Sequence, residues 1–381
     1  MRILEISNYY PEHIGGIEFV ALNLVQQWRQ QNQVRWLACD VKTCPHVASP
    51  DDIPLPAGNF TEEHLGFPYP IPIRDSIATI FKQTNWCDVV HVNDCLYLAS
   101  LIAFIASRWY HKPLLITQHV GLIQYDEAYK NTLQEIAYTT FGKFVLEHAA
   151  QVTFISKRVK DWFEVRMRFR EPAILLSNGV DHKLFYPSTD YERNAVRYQL
   201  GYSENNNVLL FVGRFTQKKG LDIIRAIAKA LPHYCWLLVG SGEINPLEWD
   251  LHNLKVIPPQ PQTALRQYYI AADLFVIPST GEGFPLAVQE ALSCGLPAAI
   301  SLETAAHLPD APLVRLDLSQ LPKILEDIVA LFKAQDRLSS MRVAAEEYAH
   351  KWDWNSIASE YEKILVKLSL SPRSYYHKNS I

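Results

Sequence analysis

Cysteine is scarce and unpatterned in this chain. Cys39, Cys44, Cys87, Cys95, Cys235 and Cys294 are the six among 381 residues, with no C-x-x-C pair and no Cys/His cluster at zinc spacing. They read as reduced thiols of a cytoplasmic protein rather than a disulfide framework. Long apolar runs are missing too: the longest, 96–106, falls well short of the ~20 residues that cross a bilayer. The opening Met1-Arg2-Ile3-Leu4-Glu5-Ile6 sets an acid where a secretory leader needs apolar residues, so export is not expected. Nor is there a basic excess, since the net charge is −4 with no polybasic tail; nucleic acid is not the expected partner. Hydrophobic residues, at 48%, supply ample core, and the length suits two domains rather than one.

The chain is organised around residues 277–295, IPSTGEGFPLAVQEALSCG. The apolar run 274–277 reads as a strand, the loop after it carries Glu282, and a helix follows in which Pro285 suits the first turn because its missing N–H is unpaired there anyway. At ~1.5 Å per residue, Glu290 lies roughly 8 Å along that helix. The free amides of the helix start therefore fall between two acids. Such a start seats phosphate, and flanking carboxylates accept hydroxyl protons, so a sugar–diphosphate–ribose ligand matches the order of groups. Taken alone, the pair also suits an ordinary strand–loop–helix crossover with two solvated glutamates.

Glu282-Gly283-Phe284-Pro285-Leu286 followed by Glu290-Ala291-Leu292-Ser293-Cys294-Gly295 closely resembles the E-x7-E signature of retaining, nucleotide-sugar-dependent glycosyltransferases of the group 1 type, family 4, with a GT-B fold. A second segment, Gly213-Arg214 through Lys219-Gly220, resembles that family's diphosphate clamp. An arginine fork and a lysine point charge can take up the charge of a departing nucleoside diphosphate without a metal. Exposed surface cations are the ordinary alternative for that pair.

The remainder alternates strand and helix as in a parallel sheet. Strand 2–6 leads through Gly15-Gly16 into a helix, a turn in which backbone comes close to a ligand; it is not G-x-G-x-x-G, so a dinucleotide is disfavoured. In the resemblance these glycines lie beside the diphosphate and acceptor. A turn with no ligand accounts for them as well. Residues 45–72 hold seven prolines and read as irregular chain with one edge strand at most. His119 ends the run 114–118, on the sheet edge where open α/β folds bind ligands, and it matches a position where the family sets a histidine against the donor sugar. A long helix is expected over 126–149. Another, over 157–170, is amphipathic and carries six basic and two acidic residues; it is read either as a core-packed helix with a solvated face or as a patch for anionic lipid.

The resemblance implies an α/β protein of two Rossmann-like domains facing across a cleft: 1–186 for the acceptor, with 353–381 crossing back onto it, and 187–352 for the donor. It implies transfer of a hexose-type sugar from a nucleoside-diphosphate sugar to a hydroxyl of a glycan, glycolipid or small molecule, with retention. His119 and Glu282 would be catalytic. Gly15, Gly16, Arg214, Lys219, Gly283, Phe284, Pro285, Leu286 and Glu290 would bind the donor, with no metal and no cofactor beyond the sugar nucleotide. Retention can proceed with the leaving phosphate taking the acceptor's proton, or through a covalent glycosyl carboxylate, for which Asp126 is the nearest acid after His119. A catalytically silent binding protein of the same fold and a nucleotide-sugar epimerase are the alternatives. The expected location is cytoplasmic, with peripheral contact at the inner face of the membrane open to residues 157–170 if the acceptor is lipid-linked.

Overall fold

The computed structural model describes residues 1–13, 15–41, 49–61, 69–122, 128–280, 285–306, 308 and 310–371. The chain divides into two units, Met1–Asn178 together with the terminal helix Trp354–Leu370, and Gly179–Asp353. The boundary thus precedes the expected 186. Val180 donates its N–H to the Trp352 carbonyl at 2.6 Å, and Phe185 packs edge-on to Tyr269 at 5.8 Å, which ties 179–186 to the second unit.

Among the described residues the first unit holds eight strands: β1 Arg2–Tyr9, β2 Gln33–Asp40, β3 Asp52–Gly58, β4 Ile71–Pro72, β5 Val89–Asn93, β6 Leu114–Gln118, β7 Gln151–Phe154 and β8 Ile174–Leu175. Their order is β4-β3-β2-β1-β5-β6-β7-β8, parallel except at β4. β1, β5 and β6 are buried almost throughout rather than at alternate positions, as parallel strands under two helix layers must be, and they carry buried polar residues, Glu5, His91 and Thr117, among the apolar ones. The terminal helix buries Trp354, Ile357, Tyr361 and Leu365, and its Ala358 carbonyl accepts from Trp28 Nε1 at 3.2 Å.

The proline-rich segment is more regular than expected. β3 contains Pro54 and Pro56 and still pairs in parallel with β2. The Pro56 carbonyl points away from β2, to the Ile73 N–H at 3.1 Å and Ser76 Oγ at 2.8 Å. Both prolines, two residues apart, therefore turn their missing N–H away from the ladder.

The second unit holds β9 Val208–Val212, β10 Cys235–Val239, β11 Leu254–Ile257, β12 Leu274–Ile277, β13 Ala298–Ser301 and β14 Leu313–Leu316, all parallel in the order β11-β10-β9-β12-β13-β14. That is a doubly wound sheet whose order reverses between β9 and β12. In the first unit the reversal lies between β1 and β5.

Two helices differ from expectation. Over 128–148 the helix is interrupted by a π-turn, Tyr138–Gly142. The basic helix stops at Glu164, short of residue 170, where the Arg166 and Met167 N–H groups both return to the Phe163 carbonyl and tuck Met167 into the core.

Candidate active site

In the second unit the segments singled out by sequence follow β9 and β12, the two strands flanking the reversal. Arg214 stands exposed just after β9, and Lys219 closes a short 3-10 turn, Gln217–Lys219. Gly220 then takes the left-handed conformation, φ 79°, and opens the helix Leu221–Ala230. A side chain there would meet the Pro278 carbonyl oxygen at 2.2 Å. The Thr280 N–H donates to the Lys218 carbonyl at 3.0 Å. Lys218, Lys219 and residues 278–280 leaving β12 are therefore one packed edge.

A third loop joins them from β10. Gly240, φ 148°, leaves no room for a Cβ against the Gly213 carbonyl at 2.0 Å, and Phe215 donates its N–H to the Ser241 carbonyl at 2.8 Å. Gly240 and Gly242 were not among the expected donor-binding residues. Their signal is a glycine pair after a buried strand at the switch point.

Glu282, Gly283 and Phe284 lie outside the described residues, as does Asp126. The helix begins at Leu286, so Pro285 is its cap rather than part of its first turn: its ψ of 119° is extended. Glu290 is buried in that helix, its carboxylate accepting from Tyr269 Oη at 2.7 Å and from Gln262 Nε2 at 3.2 Å. Burial raises its pKa against the pull of those two donors, and burial keeps Tyr269 protonated as a donor. Tyr269 and Gln262 belong to the neighbouring helix Gln262–Ala271, a long-range pairing that no local pattern announces. The Ser279 hydroxyl, next after Pro278, is buried without a hydrogen-bond partner among the described residues.

In the first unit, Gly15 caps the helix Gly16–Trp28 in extended conformation. Its Cβ position lies 2.0 Å from Glu18 Oε2, so only glycine admits the carboxylate that folds back over the helix start. Glu18 stands three residues after the cap, the capping-box position, which is the signal that could have flagged it.

His119 directly follows β6 and is buried. Its Nε2 lies 2.8 Å from Asn93 Oδ1, and its backbone N–H donates to Asp94 Oδ1 at 2.9 Å. Burial pushes the imidazole pKa down to about 3 and the Asp94 carboxyl up to about 7. Asp94 itself sits at φ 63°. Behind them Asn93 Nδ2 donates to Glu5 at 2.6 Å; His91 bridges Glu5 at 2.5 Å and Thr117 at 2.7 Å, and Thr117 reaches Thr153 at 2.8 Å. Asn93 ends the strand beside the reversal in this sheet, and Asp94 follows it. That polar pair closing an apolar run is legible in sequence but was not singled out.

Residues 14–184 match the family described as Glycosyltransferase Family 4, and residues 206–311 the family described as Glycosyl transferases group 1. The chain is 26% identical over 323 residues to a D-inositol 3-phosphate glycosyltransferase of Jonesia denitrificans, covering 76% of this chain and 75% of that one. Among solved structures it resembles the sucrose-phosphate synthase of Thermosynechococcus elongatus, with TM-score 0.80 at 20% identity over 97% and 99% of the two chains. It also resembles Anabaena HepE in complex with UDP and glucose, with TM-score 0.76 at 18% identity over 96% and 100%. The architecture common to them is GT-B.

Proposed function

Because this chain belongs to the group 1, family 4 glycosyltransferases, we propose that it transfers a hexose-type sugar from a nucleoside-diphosphate sugar to a hydroxyl acceptor with retention at the anomeric carbon. The observation that carries this reading is the packed edge between β9 and β12. There Gly220 lies against the Pro278 carbonyl, and Thr280 is bonded to Lys218. That packing brings the loop of Lys218 and Lys219 against residues 278–280, and it supports a site at this edge.

In this account Arg214 and Lys219 hold the diphosphate, joined by N–H groups of the helix start that follows Pro285, Leu286 first, and by the backbone of Gly283 and Phe284. Glu290 accepts from the ribose hydroxyls and Glu282 from those of the sugar. His119 contacts the sugar as a neutral ring, and Gly15 and Gly16 let the backbone approach the diphosphate and acceptor. The two cations neutralise the leaving group, so no metal is required. The UDP and glucose bound by the Anabaena protein are in keeping with a sugar-nucleotide donor.

Nucleotide release from UDP-, GDP- and ADP-sugars, with and without a hydroxyl acceptor, tests the reading. Acceptor-dependent release from one donor is expected. Donor isomerisation without release would favour an epimerase.

A further inference from the structure

The helical segment 128–148 is apolar on two opposite faces. Inward, Tyr138, Val145 and Leu146 are buried, with the Tyr138 ring 5.3 Å from Phe163 and 6.1 Å from Trp162. Outward, Tyr129, Leu133, Ile136, Phe141 and Phe144 are 53% to 70% exposed. The first three and the last two keep helical spacing, but the step from Ile136 to Phe141 is five residues, which would carry Phe141 off the row in an unbroken α-helix. The π-turn Tyr138–Gly142 absorbs the extra residue and returns Phe141 to it. Thr139 and Thr140 in that turn send their hydroxyls back to the Glu135 and Ile136 carbonyls at 2.7 and 2.6 Å, so these polar groups need no water.

The ridge is widened by the neighbouring helix Leu98–Trp109. Phe104 stacks edge-on to Phe144 at 5.8 Å, and Ile105 and Trp109 are exposed on the same helix. Lys130 and Lys143 on the ridge segment are offset by Glu135 and Glu147. The positive excess comes from its flank, residues 157–170, which packs on Tyr138 and whose Arg168 N–H donates to Glu147 at 2.8 Å. Asp161 and Glu164 are engaged by Lys157 and Lys160 at 2.5 and 2.8 Å. Beyond those pairs Arg166 and Arg168 are exposed, with Arg166 over the Trp162 ring at 4.4 Å and Val165 exposed beside it.

We propose that this ridge is a docking surface for an anionic lipid bilayer: the outward row enters the interface, and the arginine flank meets the headgroup phosphates. An apolar face bordered by one sign of charge matches a surface of the opposite sign. A second copy of the chain would bring a like-charged flank against this one. The inference is independent of the donor-site assignment, because no residue of that site lies on the ridge.

The full chain should co-sediment with phosphatidylcholine vesicles containing phosphatidylglycerol, and less with phosphatidylcholine alone. Leu133→Ser with Phe141→Ser should lower that binding by at least about 10-fold, since each loses several buried methylene equivalents. Arg166→Ser with Arg168→Ser should weaken it and flatten its salt dependence. Circular dichroism verifies the fold of each variant. Lipids brominated in the acyl chain provide a readout without altering the row: they should quench the parent's fluorescence, and less so in Trp109→Phe. No binding by the parent, or equal binding and quenching in all variants, would overturn the proposal. So would a lipid-free dimer in sedimentation velocity that the Leu133→Ser, Phe141→Ser variant abolishes.

Discussion

His119 and Asn93 are joined by one hydrogen bond that fixes the histidine's tautomer. Asn93 Nδ2 is committed to Glu5 and to the Ile6 carbonyl, so its Oδ1 faces the ring and can only accept. Nε2 must therefore carry the proton, which leaves Nδ1 as the ring's acceptor.

With its pKa pushed down to about 3, His119 stays neutral across the working range. We expect no limb of the kcat–pH profile between pH 5 and 8 that depends on it. Asn93→Ala should lower kcat by roughly 10-fold through loss of ring orientation. Nitrogen NMR of histidine-labelled protein should show a neutral ring protonated on Nε2, a signal absent in His119→Asn. A kinetic pKa near 6.5 that vanishes in His119→Asn but persists in Asp94→Asn would contradict this.

Asp94 makes stability depend on pH. Burial raises its pKa from 3.8 to about 7, so the folded state binds a proton that the unfolded state has released. Its contribution is full below pH 4 and is lost as pH rises through about 7, by at most about 4 kcal/mol. His119 acts oppositely: its lowered pKa costs stability as pH falls from 6.5 towards 3. Asp94→Asn keeps the acceptor for the His119 N–H and tolerates φ 63°. Urea midpoints of this variant should fall less than the parent's between pH 5 and 8; identical slopes would remove Asp94 from the account.

Gly220→Ala should be severe. The new methyl meets the Pro278 carbonyl oxygen at 2.2 Å in a left-handed conformation, so the edge between β9 and β12 must part. A loss of about 3 kcal/mol in urea unfolding is expected, together with weaker nucleotide binding. Gly201, also left-handed at φ 79° but with open space around it, is the control: alanine there should cost only about 1 kcal/mol.

The two glutamates should separate kinetically. In the proposed arrangement Glu282→Gln removes a carboxylate that favours the charge developing at the anomeric carbon and should lower kcat on the order of 10²-fold. In the same arrangement Glu290→Gln alters contacts to the ribose, a part of the ligand that does not react, and should mainly raise donor KM. The reverse pattern would invert the order of sugar, diphosphate and ribose along this stretch.

Much of this was legible in the chain itself. Parallel strands such as β9 and β12 read directly from their apolar runs, and the places of Gly220 at a helix start and Glu290 within a helix from the spacing around them. What was hidden depends on partners far away in sequence. Pro54 and Pro56 look like strand breakers until their alternation is set against β2. The π-turn at Tyr138–Gly142 has no composition of its own; it appears once Tyr138 has the Trp162 and Phe163 rings to pack on. The basic helix ends at Glu164 because Met167 has a core to enter. Likewise, the donors that hold the Glu290 carboxylate, Tyr269 and Gln262, lie 21 and 28 residues earlier.

The central claim, that the edge between β9 and β12 takes a nucleoside diphosphate, is tested most directly by titration calorimetry with UDP, GDP and ADP. One of the three should bind the parent, and Arg214→Ala with Lys219→Ala should weaken it by roughly 10²-fold while the fold persists by circular dichroism. If none of the three binds, or if the double variant binds as tightly as the parent, the clamp is not where this account puts it.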